Sequence, residues 1–409
     1  MSPVIASSTV AQTPAVEADF LRLNLSTDNN GGSGYTRSNF GHDEIDSNGI
    51  LILNAKNRGN AKNPDFLPTW DPSEKYAPLE FHAYEDPALK ADPSFPNLFP
   101  DANEKGLKVK SITPKLGSEV RNIQLSALND AAKNELALLV AQRGVVVFRN
   151  QDLIDKGPEF SVKFGKHFGK LHIHQTSGHP RNAPELHVVH TRPDKGGFEN
   201  VFKDDISSVR WHSDVSYELQ PPSYTFLSIL EAPESGGDTL FANSVEAYER
   251  LSPAFREFID GLHVIHSALE QAVNSKNNGG VQRRKPVAHV HPLVRVHPVL
   301  KKKSLYLNQG FARKIVELKK PESDAVLNFL YGLVNNSLDL QLRANWEPGT
   351  VVVWDNRRVN HSASVDWDSE SARHVVRITP QAERPVEDLK FLNDSTYYPS
   401  STTDSVSHN

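Results

Sequence analysis

Two histidines and one aspartate have the residue types and spacing of a metal centre. His212 and Asp214 form a His-x-Asp pair, and His361 follows far downstream in the chain. Two imidazoles and one carboxylate can occupy one face of an octahedral metal ion and leave the opposite face open, which is the ligand pattern of non-haem Fe(II) oxygenases. The three residues therefore predict an enzyme that holds a catalytic metal.

The elements that would position these ligands are short strands. Alternation along a strand places residues i and i+2 on one face, so His212 and Asp214 can both point at one ion while Ser213 faces away. His361 follows the apolar run of residues 351–354 after a short polar turn. We therefore expect both ligand groups at strand ends, where distant strands of one barrel converge on one ion.

The His-x-Asp spacing is weak evidence alone, because a chain with 17 histidines contains such pairs by chance. His42 and Glu44 form a second match of this kind, in a segment of low complexity. A histidine-rich segment offers an alternative, since it could form a zinc site, line a pocket or simply be exposed. Its members are His172, His174, His179, His187 and His190.

Composition limits the partners of the protein. The chain has 409 residues, enough for one large domain with an extension, and a net charge of -5 from 45 basic and 50 acidic residues. This balance predicts no general attraction to nucleic acid or to anionic membrane, so any anion must be bound by individually placed arginines. The absence of cysteine excludes disulfides, thiolate metal sites and cysteine nucleophiles. No leader-like segment or apolar run of roughly 20 residues is present, which predicts a cytoplasmic protein without a membrane partner.

Differences in composition and in hydrophobic patterning divide the chain into three parts. Residues 1–105 are rich in Ser, Asn, Asp, Gly and Pro, and we expect a partly disordered extension that wraps the core or a neighbouring subunit of a homo-oligomer. Residues 106–385 carry the regular patterns of the main domain. Residues 386–409 form a C-terminal tail.

Short β-rich runs dominate the main domain and predict its fold class. They alternate with Gly, Pro and Asn turns, and a few helical segments lie between them, so we expect a mainly β fold with flanking helices around a double-stranded β-helix, or jelly-roll, core. Residues 236–239 are expected to form a hairpin turn. The predicted helices cover residues 128–140, 253–260 and 321–334, and the predicted strands cover residues 145–148, 224–230, 293–299, 304–308, 351–354 and 373–379.

Two arginines share one face of the last predicted strand. Arg373 and Arg377 are four residues, or roughly 13 Å, apart. An unpaired guanidinium is costly to bury, so either both groups are solvated on an exposed face or both bind anions. Because arginine binds carboxylates and sulfonates through paired hydrogen bonds, the strand is also a candidate site for two anions near the metal.

Several co-linear motifs together resemble the taurine dioxygenase family of Fe(II)- and 2-oxoglutarate-dependent oxygenases. The resemblance covers about residues 107 to 385, and the long N-terminal segment is similar to that of the fungal sulfonate dioxygenases in this family. The motifs are Trp211-His212-Ser213-Asp214, Gly236-Gly237-Asp238-Thr239, residues 291–299, Asn308-Gln309-Gly310-Phe311, Trp354-Asp355-Asn356-Arg357 through His361, and the pair Arg373 and Arg377.

The resemblance implies roles for the metal and cosubstrate residues. His212, Asp214 and His361 would hold Fe(II), and Thr239 and Arg373 would bind the distal carboxylate of 2-oxoglutarate. O2 would be the second cosubstrate. The iron and the keto acid would then carry the oxidising chemistry, while the protein positions the reactants.

The resemblance also implies a substrate site. Arg377 and His174 would hold the anionic head of the substrate, with His172 a near alternative to His174, and Phe311 would form an apolar wall beside the iron. Taurine-using members carry larger side chains around the substrate, which implies room here for a larger or differently shaped molecule. The small residues at those places are Ser177, Ser208 and Ala272.

The implied reaction is hydroxylation of an organosulfonate at the carbon next to sulfur. The products would be sulfite and an aldehyde, with succinate and CO2 from 2-oxoglutarate, which suits a role in sulfur metabolism. One alternative is the same chemistry on an alkyl sulfate ester or on a carboxylate such as a phenoxyacetate. The residues also leave open a non-catalytic β-barrel that binds an anion and a zinc hydrolase that uses the histidine-rich segment.

Overall fold

The computed structural model describes residues 44–100, 106, 108–191, 202, 205–277, 280–367 and 371–397. The disorder expected at the start of the extension falls outside these residues. The α-helices are α1 (Ala55–Gly59), α2 (Asp130–Arg143), α3 (Gly157–Lys166), α4 (Ser244–Glu249), α5 (Pro253–Ile259), α6 (Leu269–Asn277) and α7 (Lys320–Asn336).

Strands are more numerous than helices in the described residues, and the fold is mainly β with flanking helices, as predicted. The strands are β1 (Glu44–Ile45), β2 (Leu51–Ile52), β3 (Thr69–Trp70), β4 (Lys108–Ser111), β5 (Ser118–Arg121), β6 (Val145–Phe148), β7 (Leu186–Thr191), β8 (Tyr224–Glu231), β9 (Thr239–Asn243), β10 (His263–Ser267), β11 (Ala288–Pro292), β12 (Val294–Val296), β13 (Lys303–Leu305), β14 (Ala312–Ile315), β15 (Gln341–Ala344), β16 (Val351–Asp355), β17 (Val359–Ala363) and β18 (Arg373–Ile378).

Two sheets enclose the part of the core that carries the candidate site. The larger sheet has seven strands in the order β4-β5-β6-β16-β8-β18-β7, and the smaller sheet has three strands in the order β15-β9-β17. Neighbouring strands are antiparallel except for β5 and β6, which are parallel. One hydrophobic cluster takes residues from both sheets and lies between them.

Alternation along β16 shows how the sequence builds these layers. Val352 and Trp354 pack in the cluster between the two sheets, together with Phe241 of β9. Val351 and Val353 face the other way, into a cluster that includes side chains of α2 and α3. Each such fully buried apolar side chain contributes about 1.5–3 kcal/mol, so an all-apolar strand is stabilised by being covered on both faces.

The predicted helices are confirmed with small shifts of their ends. The helix predicted over residues 128–140 is α2, which begins after Asn129 because the side chain of Asn129 accepts a hydrogen bond from the Ala132 N–H. It ends at Gly144, whose φ of 73° is unfavourable for residues that carry a Cβ. The other two predicted helices correspond to α5 and α7.

The hairpin predicted at residues 236–239 is wrong. Strand β8 pairs with β16 and β18, whereas β9 pairs with β15 and β17, so this segment carries the chain from one sheet to the other. Gly236 and Gly237 have φ of 83° and 66°. A Cβ on Gly236 would lie 2.5 Å from the backbone oxygen of Asp366. The glycines therefore permit a close crossing between sheets, which turn composition alone does not distinguish from a hairpin.

The N-terminal segment lies against the main domain. The hydroxyl of Tyr84 donates to the backbone oxygen of Phe168 at 3.1 Å, and the backbone N–H of Tyr84 donates to the side chain of Asn393. The buried carboxylate of Asp86 forms an ion pair with Arg357. None of the helices in the described part of the chain combines the length and the apolar character that a bilayer span requires.

Candidate metal centre and anion site

A pair of backbone hydrogen bonds brings His212 and His361 side by side. The N–H of His212 donates to the oxygen of His361 at 2.9 Å, and the N–H of His361 donates to the oxygen of His212 at 2.7 Å. Directly opposed residues of antiparallel segments have their side chains on one face, and the two imidazole centroids are 4.1 Å apart. Two histidines far apart in sequence therefore form one pair.

The strand predicted for His212 and Asp214 is wrong, and so is the strand end predicted for His361. His212 forms a single bridge, and a turn begins at Asp214, where Val215 has a φ of 37° that is unfavourable for a β-branched residue. His361 is the central residue of β17. The turn, instead of strand alternation, directs the Asp214 carboxylate towards the histidines.

The three side chains nevertheless converge. The Oδ1 atom of Asp214 is 4.0 Å from Nε2 of His212 and 3.7 Å from Nε2 of His361. These separations are too long for hydrogen bonds, and one ligand atom from each residue lies within 4.8 Å of the other two. The arrangement suits side chains that share a cation.

The hydrogen bond of His212 to the backbone determines which of its ring nitrogens is protonated. Its Nδ1 is 2.9 Å from the backbone oxygen of Arg210. A carbonyl oxygen only accepts, so Nδ1 carries the proton and Nε2 presents its lone pair on the side of Asp214. Burial lowers the pKa of His212 and holds that of His361 well below the usual value, so both rings are neutral, the form that binds metals.

Asp214 supplies the negative charge of the cluster. Its Oδ2 accepts a hydrogen bond of 2.9 Å from the hydroxyl of Thr225, which leaves Oδ1 facing the histidines. Burial opposes ionisation of Asp214, but the charge of Arg377 outweighs it and holds the pKa at about 2. The carboxylate is therefore ionised at neutral pH.

These donors fit Fe(II). Two neutral imidazoles with one carboxylate match the preference of that metal. Within the described residues this is the one group of three or more metal-binding side chains close enough to share an ion. The histidine-rich segment forms no such group there, because His172 and His179 are bound to Glu218 and Glu74, respectively.

A hydrogen-bonded chain behind Asp214 was not predicted from the sequence. The indole N–H of Trp354 donates to Oδ1 of Asn356, so the Asn356 amide nitrogen must point the other way, and it donates to the Thr225 hydroxyl at 2.7 Å. The Asp214 N–H also donates to Oδ1 of Asn356. Asn356 thus orients Asp214 through two routes. A polar Thr225 within the otherwise apolar start of β8 was the available signal.

Arg373 and Thr239 both lie at the crossing between the sheets. The Nε of Arg373 donates to the backbone oxygen of Gly237 at 3.1 Å, and Thr239 follows two residues later at the start of β9. The Thr239 hydroxyl accepts a hydrogen bond from the indole of Trp346. Both residues are buried, and burial lowers the pKa of Arg373 to about 10, so a positive charge is held there without an ion pair among the described residues.

Arg377 contacts the metal centre directly, which was not predicted. Its Nη1 donates to Oδ1 of Asp214 in a short ion pair. Its Nε is buried and has no hydrogen-bond partner in the part of the chain that is described. The exposed strand face that was the alternative for the two arginines is excluded, because Arg373 is buried and Arg377 is half-buried.

His174 is better placed than His172 to meet a substrate. Nδ1 of His174 accepts from the backbone N–H groups of Thr176 and Ser177 at 3.2 and 3.1 Å, so the ring proton lies on Nε2, which is a hydrogen-bond donor. Nε2 of His172 is 2.9 Å from the buried carboxylate of Glu218. His172 is therefore already paired with the protein.

The remaining predicted pocket residues are divided between two places. Phe311 lies edge-on to His212, with ring centroids 6.3 Å apart, as expected for an apolar wall beside the metal. Ser177 adjoins His174, and Ala272 is buried on α6. The hydroxyl of Ser208 instead accepts a hydrogen bond from the backbone of Val365, beyond the end of β17.

Several known proteins are similar in sequence to this chain. Residues 108–379 match the family described as taurine catabolism dioxygenase TauD, TfdA family. An alpha-ketoglutarate-dependent sulfonate dioxygenase of Saccharomyces cerevisiae is 64% identical over 363 residues, which cover 89% of this chain and 88% of the yeast protein. An alpha-ketoglutarate-dependent sulfate ester dioxygenase of Pseudomonas putida is 30% identical and covers 68% of this chain and 91% of its own length.

Solved structures are similar to this protein in fold as well. The crystal structure of a taurine dioxygenase from Burkholderia xenovorans superimposes with a TM-score of 0.55 at 29% identity, over 68% of this chain and 92% of that chain. The matched family covers most of the chain and includes all three candidate metal ligands. The chain therefore belongs to the taurine catabolism dioxygenase TauD, TfdA family.

Proposed function

We propose that this protein is an Fe(II)- and 2-oxoglutarate-dependent dioxygenase that hydroxylates an organosulfonate at the carbon next to sulfur. The hydroxylated product breaks down to an aldehyde and sulfite, and 2-oxoglutarate becomes succinate and CO2. The name of the yeast relative supports the substrate class, and family membership supports the cofactors. Release of sulfite gives the enzyme a role in sulfur metabolism.

The observation that carries the proposal is the pair of opposite histidine orientations around Asp214. His212 presents a nitrogen lone pair on the side of Asp214, as a cation requires, whereas His174 presents an N–H, as an anion requires. His212, Asp214 and His361 hold Fe(II), which, with 2-oxoglutarate and O2, supplies the oxidising chemistry. Every other task belongs to the protein, which binds and orients the reactants.

The two arginines, Arg373 and Arg377, bind different anions. Arg373, with Thr239, binds the distal carboxylate of 2-oxoglutarate, because a buried guanidinium without a counter-ion in the described residues favours a bidentate anion. Arg377 and His174 bind the sulfonate. The Arg377 side chain already reaches Oδ1 of Asp214, so a sulfonate held by it lies next to the metal centre.

We also infer the domain architecture. The two facing sheets form a double-stranded β-helix within a catalytic domain of residues 106–385, and residues 386–409 form a tail. The shared core between the sheets and the similarity to a solved taurine dioxygenase support this interpretation. Residues 1–105 form the extension, and its described residues 44–100 include Tyr84 and Asp86, whose contacts support a role in covering this domain.

A panel of anions tests the proposal. The enzyme is supplied with Fe(II), 2-oxoglutarate and O2, and succinate, sulfite and sulfate are measured for taurine, longer alkanesulfonates, alkyl sulfates and phenoxyacetate. We expect sulfite and succinate in equal amounts from at least one sulfonate. Succinate formation from the other anions, with no sulfite from any sulfonate, would contradict the substrate class.

The metal ligands have a matched control. Asp214→Ala removes the carboxylate from the centre and is expected to abolish succinate formation. Asp388→Ala removes an exposed carboxylate, whose side chain is 48% exposed, and is expected to leave the rate unchanged. Full activity of the Asp214 variant would show that the metal is held elsewhere.

One alternative substrate class has specific support. The relative from Pseudomonas putida is named for sulfate esters, which carry the same type of oxygen-rich sulfur anion as sulfonates. Oxidation of an alkyl sulfate next to its ester oxygen would release sulfate instead of sulfite. The sulfur product in the same panel therefore separates the two classes.

A further inference from the structure

His187 lies beside the two groups that bind the anionic head of the substrate in the proposed function. In the antiparallel pair of β7 and β18, His187 is directly opposite Arg377. Opposed residues share a face, and Arg377 reaches Asp214, so the His187 side chain also faces the site. Val189, two residues further along β7, packs against the core between the sheets, which agrees with this orientation.

The ring of His187 also touches His174. The two ring centroids are 4.6 Å apart with an interplanar angle of 45°. His187 is half-buried, and its ring nitrogens have no hydrogen-bond partner among the residues that the structure describes. His172 and His179 of the same histidine-rich segment are instead held by buried or half-buried carboxylates. The ring of His187 is thus positioned by packing but keeps its polar atoms for another partner.

The charge state of this cluster suits a neutral donor. Burial, followed by the charge of Arg377, holds the pKa of His187 well below its usual value. A neutral imidazole carries one N–H and one lone pair. It can therefore donate to an anion without adding a second full positive charge next to Arg377.

We propose that His187 donates the third hydrogen bond to a tetrahedral sulfur anion whose other oxygens are bound by Arg377 and His174. A sulfonate or sulfate ester presents three terminal oxygens, whereas a carboxylate presents two. Three donors placed around a tetrahedral head select the sulfur anions over carboxylates, because the acceptor sites of a carboxylate lie close to one plane and cannot meet all three donors with good geometry. This assignment rests on the proposed function and deepens it, since it names the residue that discriminates between classes of anion.

Paired substitutions test the role of His187. His187→Leu replaces the ring by an apolar side chain of similar bulk and so removes the donor. His187→Gln keeps an N–H donor. The affinities of the Fe(II)- and 2-oxoglutarate-loaded protein for pentanesulfonate and for hexanoate are measured by anaerobic calorimetry. We expect the leucine variant to lose about tenfold or more in affinity for pentanesulfonate, as for a hydrogen bond to a charged group, with a change of about twofold or less for hexanoate. The glutamine variant should lie between.

Several outcomes would overturn the assignment. It fails if the leucine variant binds pentanesulfonate as tightly as the wild type, or if both anions lose affinity equally. His167→Leu, at the end of α3, is the control for a general effect of removing a histidine and should bind both anions normally. If a thermal melting curve shows that the leucine variant is not folded, a crystal structure of the wild type with pentanesulfonate tests the proposal instead. A bound sulfonate that does not contact His187 would contradict it.

Failure of the proposed function has a different signature. In that case the wild type releases neither sulfite nor sulfate from any sulfur anion, whatever residue occupies position 187. A wild type that releases sulfite, with a leucine variant of unchanged selectivity, overturns only the role of His187.

Discussion

Asp214 and Asp355 are both buried aspartates beside an arginine and a histidine, yet their surroundings are opposite in kind. Both oxygens of Asp355 accept hydrogen bonds from Arg357, at 2.8 and 2.7 Å, and His297 lies 2.9 Å from Oδ2. Around Asp214 the two histidines stay 3.7 and 4.0 Å away. The first cluster is a closed ion network, and the second is a set of groups that face a common point.

The direction of the imidazole proton explains the difference. Nδ1 of His297 accepts from the backbone N–H groups of Val299 and Leu300, so its proton lies on Nε2 and is donated to Asp355. In His212 the backbone contact is a carbonyl, so Nε2 lacks the proton and cannot donate to Asp214. The same residue types thus form a structural ion cluster or a cation site, depending on which backbone group meets Nδ1.

Arg357 and Arg377 differ in the same way as the two aspartates that they contact. Arg357 is fully buried, and its nitrogens bond Asp355, Asp86 and Glu383. Arg377 is half-buried and leaves its Nε without a partner in the described residues. A side chain with unused donors beside a metal centre is available for a ligand, whereas one with every donor used stabilises the fold.

The largest expected effect comes from exchanging each arginine for methionine. Arg357→Met leaves the buried carboxylates of Asp86 and Asp355 without their cation, whereas Glu383 keeps Arg295, and should lower the free energy of unfolding by about 3–5 kcal/mol. Arg377→Met should cost at most about half as much, because Arg377 is half-buried and Asp214 keeps its bond from Thr225. Urea unfolding of both variants measures the difference, and equal losses would remove the distinction between closed and open clusters.

The closed cluster also predicts a pH effect. Burial and the charge of Arg357 hold the pKa of His297 at about 4, below its value of 6.5 in the unfolded chain. Between these two pH values His297 is protonated in the unfolded chain but neutral in the folded protein. Stability is therefore lost as the pH falls from 6.5 towards 4, by on the order of 3 kcal/mol for this residue. Above pH 6.5 the histidine contributes no pH dependence.

His297→Gln measures that contribution. Glutamine keeps a donor and an acceptor but does not titrate, so the variant should lose less stability between pH 7 and pH 4.5 than the wild type does. Urea unfolding at several pH values gives both curves. Parallel curves would mean that His297 is protonated in the folded protein, and that the network is not closed around a neutral ring.

Asn356 supports the open cluster around Asp214, and its removal tests that cluster. Asn356→Leu removes the amide that orients Thr225 and Asp214, and we expect the affinity for Fe(II) to fall roughly 10–100-fold. Asn134→Leu, which removes a bond to His167 in the helical layer, is the control and should keep the wild-type affinity. A titration of Fe(II) into each protein, with melting curves as a check, distinguishes weaker metal binding from loss of folding.

The smallest effect is expected at the cosubstrate. Thr239→Val keeps the shape of the side chain and removes its hydroxyl, so the KM for 2-oxoglutarate should rise about threefold to tenfold, as for a single hydrogen bond. The KM for the sulfonate should not change, because Thr239 follows the Gly237 carbonyl that Arg373 binds, whereas Arg377 binds Asp214. Steady-state rates at varied concentrations of each substrate measure both values, and an equal rise in both would place Thr239 outside a dedicated 2-oxoglutarate site.

Local patterns predicted the elements better than their connections. The β16 strand and α2 helix were predictable because apolar alternation and an Asn cap with a terminal Gly act over a few residues. The segment at residues 236–239 was not, since the same glycines serve a hairpin turn or a crossing between sheets. Which one forms depends on the pairing of β9 with β15 and β17, strands far away in the sequence.

The candidate site shows the same limit. The residue types of His212, Asp214 and His361 pointed to a metal, and family motifs pointed to the two arginines. The strand geometry expected for His212 and Asp214 was wrong, because the convergence comes from a bridge to β17 and a turn at Asp214. The supporting roles of Asn356 and Thr225 and the role proposed for His187 were not predicted, since they depend on neighbours contributed by other strands.

The sequence by itself determined the chemistry: which side chains can bind a metal, which can bind an anion, and to which family the chain is similar. Tertiary structure decided how each group is used. A histidine or an arginine has the same chemistry wherever it lies in the chain, but its proton position, burial and unused donors depend on the backbone and side chains around it. That is why His212 presents a lone pair to its neighbours, His174 presents an N–H, and His297 belongs to the buried core.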